Sequence, residues 1–359
     1  MTKQEGGRVV IFLVICLLVF GYLNKVFTID DPTGSSEIFK SFYEEEEDKL
    51  DGVYIGSSAA YRYWNGPRVF GEYGLAIPTL ASAGLPVALV PDLIEEIKKT
   101  QDPKLYIIEL RGALKTADGL GEAGIRRVTD NMNFSLNRIQ TIQRGIEFAA
   151  EGDNEVNKGR MAHYFPIVKY HDQWDEGVLK IEDLLLNKEA SPTKGFSGKT
   201  IAFRQRPQKE PAYTKKTAEL DPPVEEALIE LLDYADDLDA EVLFVLSPYS
   251  ETSEKAMGKL NRVQEIAEGR GYPVLNYNTK KMAEKIGLNW KTDFYDKRHT
   301  NVIGADKYTD DVAAYIAENY ALEGGHQGED GYESWDEAYQ YYVDAMKENG
   351  RLPDGKYSK

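Results

Sequence analysis

The sequence predicts an α/β fold built on a parallel sheet, and two observations favour it. Short apolar runs rich in β-branched and aromatic residues recur along the chain, and stretches with helical spacing of apolar residues separate them. Parallel strands need a crossover connection, which is usually a helix. An alternation of strand, helix and strand therefore predicts parallel pairing.

Length and charge limit the possible function classes. The 359 residues suffice for one large α/β domain with insertions or for two domains, and 42% hydrophobic residues allow a sizeable core. The formal net charge of −17 argues against nucleic acid as a partner, because phosphates require a basic footprint. It also argues against polybasic attachment to a membrane surface.

An apolar segment near the N-terminus predicts a membrane anchor. Residues 9–23 carry no charge and follow Lys3 and Arg8, so residues 1–27 are expected to form a cytoplasmic stub and a transmembrane signal anchor. The positive flank predicts that the rest of the chain lies outside the cytoplasmic membrane. A buried core helix is the alternative. Cys16, the only cysteine, lies in this segment, so the exported part has no disulfide.

After the apolar segment, the sequence predicts a linker, a juxtamembrane helix and the first strands of the domain. Residues 28–50 are expected to form a linker and a juxtamembrane helix, with Ser36 as its cap and a solvated acidic run over residues 44–48. The domain proper is expected over residues 51–322. Its first part has the βαβ pattern, with strands at 53–55, 74–77 and 104–110 and a helix after Pro86.

The remainder divides into an insertion, a second alternating part and a tail. Residues from about 115 to 220 break the rhythm and are read as an insertion over the sheet, with one helix near 132–150. Alternation resumes with a helix capped by Asp221. The tail, residues 323–359, is expected to hold one accessory helix with a Ser334-x-x-Glu337 capping box. The later core elements are a strand at 241–246, a helix at 252–270, a strand at 273–277 and a helix through Tyr308, Val312 and Ile316.

Three residues suggest nucleophilic chemistry at a strand end. The first strand ends in Gly56-Ser57-Ser58, where Ser58 could act as a nucleophile, although Gly and Ser also simply form turns. A serine nucleophile needs a base, and His299 is the best of four histidines because Asp296 precedes it by three residues. The carboxylate would fix the imidazole tautomer and stabilise the imidazolium. The alternative is a surface Asp-x-x-His pair without a role.

These blocks resemble those of the SGNH (GDSL-type) hydrolases. Gly56-Ser57-Ser58 matches the early nucleophile block, and Asp296-x-x-His299 matches the closing block, with Asn301 and Gly304 after it. The likeness is strongest for the membrane-anchored bacterial branch with DltD-like and polysaccharide O-acetylation proteins, and it covers roughly residues 50–112 and 240–320. It implies a three-layer, flavodoxin-like parallel-sheet domain and a Ser-His-Asp triad.

The resemblance is incomplete at the oxyanion hole. The family combines the amide of the nucleophile with a glycine amide and an asparagine, and Gly84 could supply the glycine amide. No Gly-x-Asn-Asp follows the third strand, which ends in Glu109-Leu110-Arg111-Gly112. Arg111 could donate to an oxyanion or could pair with Glu109 as a structural group, and Asn131 is a distant alternative.

Other polar and aromatic residues permit weaker interpretations. Tyr61, Tyr63 and Trp64 could stack on sugar rings, although aromatics at this position more often belong to the core. His171 could contact substrate. A metal site shared by His163 and His171 is not expected, because no nearby ligand set has a recognisable spacing. No cofactor is expected.

The sequence therefore predicts an extracytoplasmic, membrane-anchored serine esterase or O-acyltransferase. The expected substrate is an acyl ester of a cell-envelope glycan or teichoic-type polymer, and the resemblance implies an integral membrane acyltransferase as a further partner. Two alternatives stay open. One is a non-catalytic polymer-binding or scaffolding module that retains the fold, and the other is a soluble intracellular esterase.

Overall fold

A five-stranded, all-parallel sheet forms the centre of the protein. The computed structural model describes residues 3–26, 33–152, 160–169, 189–196 and 203–350. The strands pair in the order β2-β1-β3-β4-β5, so the predicted α/β class with parallel pairing is confirmed. The strands are β1 Gly52–Gly56, β2 Thr79–Ala81, β3 Leu105–Glu109, β4 Glu241–Leu246 and β5 Val274–Asn276.

Helices connect the strands and extend the chain at both ends. Short 3-10 turns at Val87–Leu89, Leu110–Leu114 and Ala117–Gly119 supplement them. The described α-helices are α1 Lys3–Val26, α2 Ser35–Tyr43, α3 Ser58–Tyr63, α4 Gly66–Tyr73, α5 Val90–Ile97, α6 Glu122–Thr129, α7 Leu136–Glu151, α8 Arg160–Tyr164, α9 Pro166–Lys169, α10 Pro222–Asp236, α11 Glu254–Gly269, α12 Lys280–Lys285, α13 Val302–Asn319 and α14 Glu333–Glu348.

Both faces of the sheet are covered. Successive side chains of a strand point to opposite faces, and in β1 Val53 and Ile55 join one apolar cluster while Tyr54 joins another. The first cluster takes side chains from α5, α7, α10 and α11, and the second takes them from α3 and α13. Parallel sheets bury both faces in this way, which explains the almost continuous apolar runs in the strands.

The strand order creates a crevice at one edge of the sheet. The chain steps from β1 outward to β2 and then returns to place β3 on the other side of β1. At such a reversal the connections leave the carboxyl ends of the two central strands in opposite directions. The C-terminal ends of β1 and β3 are therefore the natural position for a site.

Two boundaries near the N-terminus differ from the prediction. The second strand is Thr79–Ala81 rather than 74–77, because Pro78 has no N–H and offers only its carbonyl, which accepts from Tyr54 N–H at 2.9 Å. Helix α2 begins at Ser35 after Gly34, whose φ of 84° is left-handed, and it ends at Tyr43. Within the acidic run that follows, Glu45 is buried and pairs with Lys194 at 2.9 Å instead of facing solvent.

The C-terminal helix α14 belongs to the packed domain. Its Trp335 is buried against Phe70 of α4, with ring centroids 5.5 Å apart, and its Tyr342 hydroxyl donates to Asp306 of α13 at 2.8 Å. The predicted capping box is wrong, because Ser334 lies inside the helix and its hydroxyl accepts from Lys194 Nζ at 2.7 Å.

Helix α1 is long and apolar enough to cross a membrane. The apolar window Gln4–Leu23, 20 residues long, has a mean hydropathy of 2.3, and no residue in it is fully buried by the rest of the protein. Its length and composition fit the hydrocarbon core of a bilayer.

Candidate active site

The nucleophile candidate lies where β1 passes into α3. Gly56 ends the strand, and a Cβ there would come within 2.8 Å of Glu109 Cβ, so only glycine lets β1 and β3 approach this closely. Ser57 caps α3, since its Oγ accepts from Ala59 N–H at 3.3 Å. Ser58 is the first helical residue. The cap thus engages Ser57 locally and leaves Ser58 to point across the sheet edge.

A short loop before α13 carries Asp296 and His299, the candidates for the orienting carboxylate and the base. An isolated antiparallel bridge between Phe294 and Thr300 closes this loop. Inside it, Asp296 Oδ1 accepts from the backbone N–H groups of Arg298 at 2.7 Å and His299 at 3.0 Å. Aspartate commonly bonds to the backbone two or three residues ahead, which is why the Asp-x-x-His spacing folds into this turn.

The end of the loop is fixed by two further residues of the closing block. Asn301 Oδ1 caps α13 by accepting from Ile303 and Gly304 N–H, and its Nδ2 donates to Thr292 O at 2.7 Å. At Gly304 a Cβ would lie 2.4 Å from Asp293 O. These contacts hold the start of α13 against the loop.

The structure brings Ser58, His299 and Asp296 together. His299 Nε2 lies 2.9 Å from Ser58 Oγ, and His299 Nδ1 lies 3.0 Å from each carboxylate oxygen of Asp296. The contact between Ser58 and His299 joins residues 241 positions apart. This is the hydrogen-bonded order of nucleophile, base and orienting carboxylate.

The electrostatics favour a neutral base beside an ionised acid. Burial lowers the pKa of His299, and the positive charges of Arg111 and Arg62 lower it further, against the opposing effect of Asp296. Burial alone would raise the pKa of Asp296, but the hydrogen bond from His299 and the backbone N–H groups lower it to about 2. A neutral imidazole can accept the serine proton, while the carboxylate stabilises the resulting imidazolium.

Arg111 holds the histidine loop against the sheet. Its Nη1 donates to Pro248 O at 2.8 Å, and its Nη2 donates to Arg298 O at 2.7 Å, directly before His299. Its guanidinium also lies over the ring of Tyr249, 4.4 Å from the centroid. Of the two roles left open by the sequence, these contacts favour the structural one, although the partner is mainly backbone carbonyl rather than Glu109.

Glu109 forms a buried acidic group beneath the same edge. Its Oε1 accepts from the hydroxyl of Ser247 at 2.9 Å and from the backbone N–H of Arg111 at 3.2 Å. Its Oε2 has no hydrogen-bond partner in the described part of the chain. Burial raises the pKa of Glu109 against the opposing charge of Arg111. Glu109 therefore links the ends of β3 and β4 and supports Arg111.

Gly84 lies at the same edge of the sheet. It follows β2, whose Ala81 pairs with Gly56, and Ser82 N–H donates to Gly56 O at 3.2 Å. Its φ of +71° favours glycine, and its carbonyl accepts from Lys115 Nζ at 3.0 Å. Asn131 instead follows α6 and donates to Arg127 O.

The aromatic candidates belong to the interior. Trp64 is fully buried, stacks on Tyr54 at 5.0 Å and donates its indole N–H to Ile77 O at 2.8 Å. The interpretation of Trp64 as a substrate contact is therefore corrected, because it has no exposed surface. Tyr61 is 4% exposed and lies beside the guanidinium of Arg62. Core packing, the alternative for both residues, accounts for them.

The structure describes only one of the two histidines His163 and His171. His171 lies outside the described residues, whereas His163 is buried in α8. Among the described residues, no group of three or more His, Cys, Asp or Glu side chains is arranged to hold a metal ion.

Tyr63 is a supporting residue whose role at the site was missed. Its hydroxyl donates to Pro248 O at 2.6 Å and also lies 3.1 Å from Arg298 O, and these are the same carbonyls that Arg111 contacts. Its position five residues after Ser58 on the same helix was the available signal, but the carbonyls it reaches lie about 180 and 240 residues away in sequence.

Together these residues define an α/β protein with a Ser-His-Asp arrangement at the carboxyl edge of its sheet. Comparison with protein-family models and with curated proteins finds no match to this chain in either set.

Proposed function

We propose that the protein is a membrane-anchored serine esterase or O-acyltransferase of the SGNH type. The observation that carries the proposal is the hydrogen-bonded series from Ser58 Oγ through the His299 ring to Asp296, at 2.9 and 3.0 Å. The strand order 2-1-3-4-5 is that of flavodoxin-like folds, which agrees with the three-layer fold of the SGNH type.

The first half of the reaction forms an acyl-enzyme. Ser58 Oγ adds to the ester carbonyl while His299 Nε2 takes its proton, and Asp296 stabilises the imidazolium through Nδ1. Collapse of the tetrahedral intermediate breaks the bond to the alcohol oxygen, which receives the proton from His299. The acyl group is then bound to Ser58 as an ester.

The second half releases the acyl group. Water or a polymer hydroxyl attacks the acyl-serine, gives its proton to His299 and displaces Ser58 Oγ, which recovers the proton. Water yields a free acid and an esterase. A sugar or polyol hydroxyl yields a new ester and an acyltransferase.

The oxyanion needs N–H donors about 3 Å from the developing charge. The amide of Ser58 and the amide of Gly84 are the proposed donors. Within the described residues neither N–H donates to a protein acceptor, which supports their availability. Arg111 is proposed to act indirectly, because its guanidinium contacts backbone carbonyls and thereby positions the loop of His299.

The membrane anchor favours a substrate that is itself fixed in the cell envelope. Lys3 and Arg8 precede the apolar segment, so the positive-inside rule predicts that the proposed catalytic domain lies outside the cytoplasmic membrane. We propose an acyl ester of an envelope glycan or teichoic-type polymer as substrate, with an integral membrane acyltransferase as a partner that could supply or receive the acyl group.

Turnover of a simple acyl ester tests this function. The full-length protein in detergent micelles is expected to hydrolyse p-nitrophenyl acetate, and Ser58→Ala should reduce the rate to the uncatalysed background. Ser57→Ala is the matched control: it removes a helix cap worth about 1 kcal/mol but leaves the nucleophile, so most activity should remain.

The alternatives predict different results. A non-catalytic binding module would give equal background rates for the wild type and Ser58→Ala, both with the acetyl ester alone and with an added polysaccharide acceptor. An acyltransferase restricted to its acceptor would release p-nitrophenol only when the polysaccharide is present, and that release would depend on Ser58. A soluble esterase would require the intact protein in the cytosol rather than in membranes.

A further inference from the structure

Exposed apolar side chains gather on one part of the insertion. Among the described residues outside α1, six large apolar side chains are exposed, and four of them lie in two short stretches of the chain. In the first stretch, Phe134 is 72% and Leu136 is 79% exposed. In the second, Met161 is 58% and Val168 is 45% exposed. Single exposed apolar residues need no explanation, but a concentration of them indicates an interaction surface.

These two stretches are joined to each other and to the domain. The guanidinium of Arg138, two residues after Leu136, donates to Tyr164 O at 3.3 Å, and that of Arg126 donates to Ala162 O. Asp130 pairs with both guanidinium groups, at 3.1 and 3.4 Å. Helix α8 is therefore held against α6 and the start of α7. We call the surface formed by Phe134, Leu136, Met161 and Val168 the insertion surface.

The loop between Met161 and Val168 contacts the membrane anchor. Phe165, between α8 and α9, packs edge-on against Phe20 of α1 with ring centroids 5.3 Å apart. Phe20 lies three residues before the end of the apolar window at Leu23. At 1.5 Å per residue, this contact is about 5 Å inside the end of that window. With α1 across a bilayer, the loop between α8 and α9 would lie at the level where acyl chains meet headgroups.

We propose that the insertion surface lies in the interface of the bilayer that α1 crosses, with its apolar side chains among the outer acyl chains. Interfacial helices place their apolar face about 5–10 Å into the boundary between headgroups and acyl chains, which matches the depth of Phe20. The domain then has two attachments to the membrane, α1 and the insertion surface. Two attachments fix the orientation of the domain relative to the membrane, whereas a single anchor would allow the domain to rotate and tilt.

Depth-dependent quenching in lipid vesicles tests this docking. The full-length protein with Cys16→Ala receives a single new cysteine, Phe134→Cys or Leu136→Cys, which carries an environment-sensitive nitrobenzoxadiazole label. Vesicles of phosphatidylcholine and phosphatidylglycerol contain lipids with a doxyl quencher near the headgroup. Ile229→Cys on α10, also an exposed apolar position at 41%, is the matched control.

Docking predicts at least threefold stronger quenching at positions 134 and 136 than at 229, with emission shifted to the blue. Equal quenching at all three positions in vesicles that carry the protein would overturn the proposal. Shielding of 134 and 136 only in native membranes, and not in pure lipid, would assign the surface to an integral membrane protein and would also overturn it. Flotation with the vesicles tests the insertion of α1 separately, and none of these readouts depends on catalysis by Ser58.

Discussion

The single residue Asp296 makes two kinds of contact in the candidate site. Its carboxylate accepts from two backbone N–H groups, which shapes the loop, and it also binds His299 Nδ1. The same hydrogen bonds lower its pKa to about 2 against the effect of burial. The low pKa of Asp296 favours its ionised form, and we assign the pH dependence of the proposed reaction to the histidine.

This assignment predicts the acid limb of the pH profile. Burial lowers the pKa of His299 from its ordinary value of 6.5, and a general base works only in its neutral form. We expect kcat/KM for p-nitrophenyl acetate to rise with pH through a single midpoint below 6.5 and then to reach a plateau. A midpoint at or above 6.5, in protein whose circular dichroism is unchanged over that range, would contradict the assignment.

The triad could be predicted from sequence because its residue types and local spacings carry chemical meaning. A serine at a strand end and an Asp-x-x-His before a helix are recognisable without knowing their distance in space. The roles of Arg111 and Tyr63 could not be predicted in the same way. Both bind the carbonyls of Pro248 and Arg298, and a backbone carbonyl leaves no signature in the sequence.

At the scale of elements, the site depends on helix packing at the ends of the strands. Helix α13 contributes Tyr308, whose hydroxyl lies 2.7 Å from that of Tyr54 in β1, and Thr309, whose hydroxyl donates to Tyr63 O at 2.9 Å. These contacts align the start of α13, and with it the loop of His299, against α3. The distance between Ser58 and His299 is therefore set by the packing of two helices on one face of the sheet.

The C-terminal helix α14 offers a stability prediction. Trp335 is 1% exposed, and Trp335→Ala should lower the free energy of unfolding by about 3–5 kcal/mol, since it removes a large buried side chain. Tyr341→Ala, at a position 43% exposed on the same helix, should change it by no more than about 0.5 kcal/mol. Urea denaturation of the full-length variants in detergent measures both free energies of unfolding. An effect of Trp335→Ala as small as that of Tyr341→Ala would show that α14 does not stabilise the domain.

Strands and helices could be predicted where a local sequence pattern is strong enough to determine them. Strands β3 and β4 and helix α10 agree with the sequence pattern because apolar runs and the Pro222 start are strong local signals. The buried position of Glu45 and the failed cap at Ser334 have one common cause. Lys194 contacts both side chains, and this contact joins segments about 140 residues or more apart.

The whole molecule combines the apolar helix α1 with an acidic domain that carries the candidate site at the carboxyl edge of its sheet. The net charge of −17 leaves the domain acidic, so apolar contact rather than charge would have to bring it to the bilayer. The apolar helix α1 was predictable from hydropathy alone. The insertion surface was not, because its two stretches are joined through the arginine contacts of α6 and α7 with backbone carbonyls of α8, which leave no signature in the sequence.

We propose that Ser58 is a nucleophile activated by His299, and active-site labelling with a fluorophosphonate, which forms a covalent adduct with such a serine, provides the test. Peptide mapping by mass spectrometry after labelling of the full-length protein should find one adduct, on Ser58. His299→Ala should slow its formation by at least a hundredfold, while Ser57→Ala should leave it nearly unchanged. An adduct on Ser57, no adduct at all, or labelling of Ser58 that is equally fast in His299→Ala would contradict the claim.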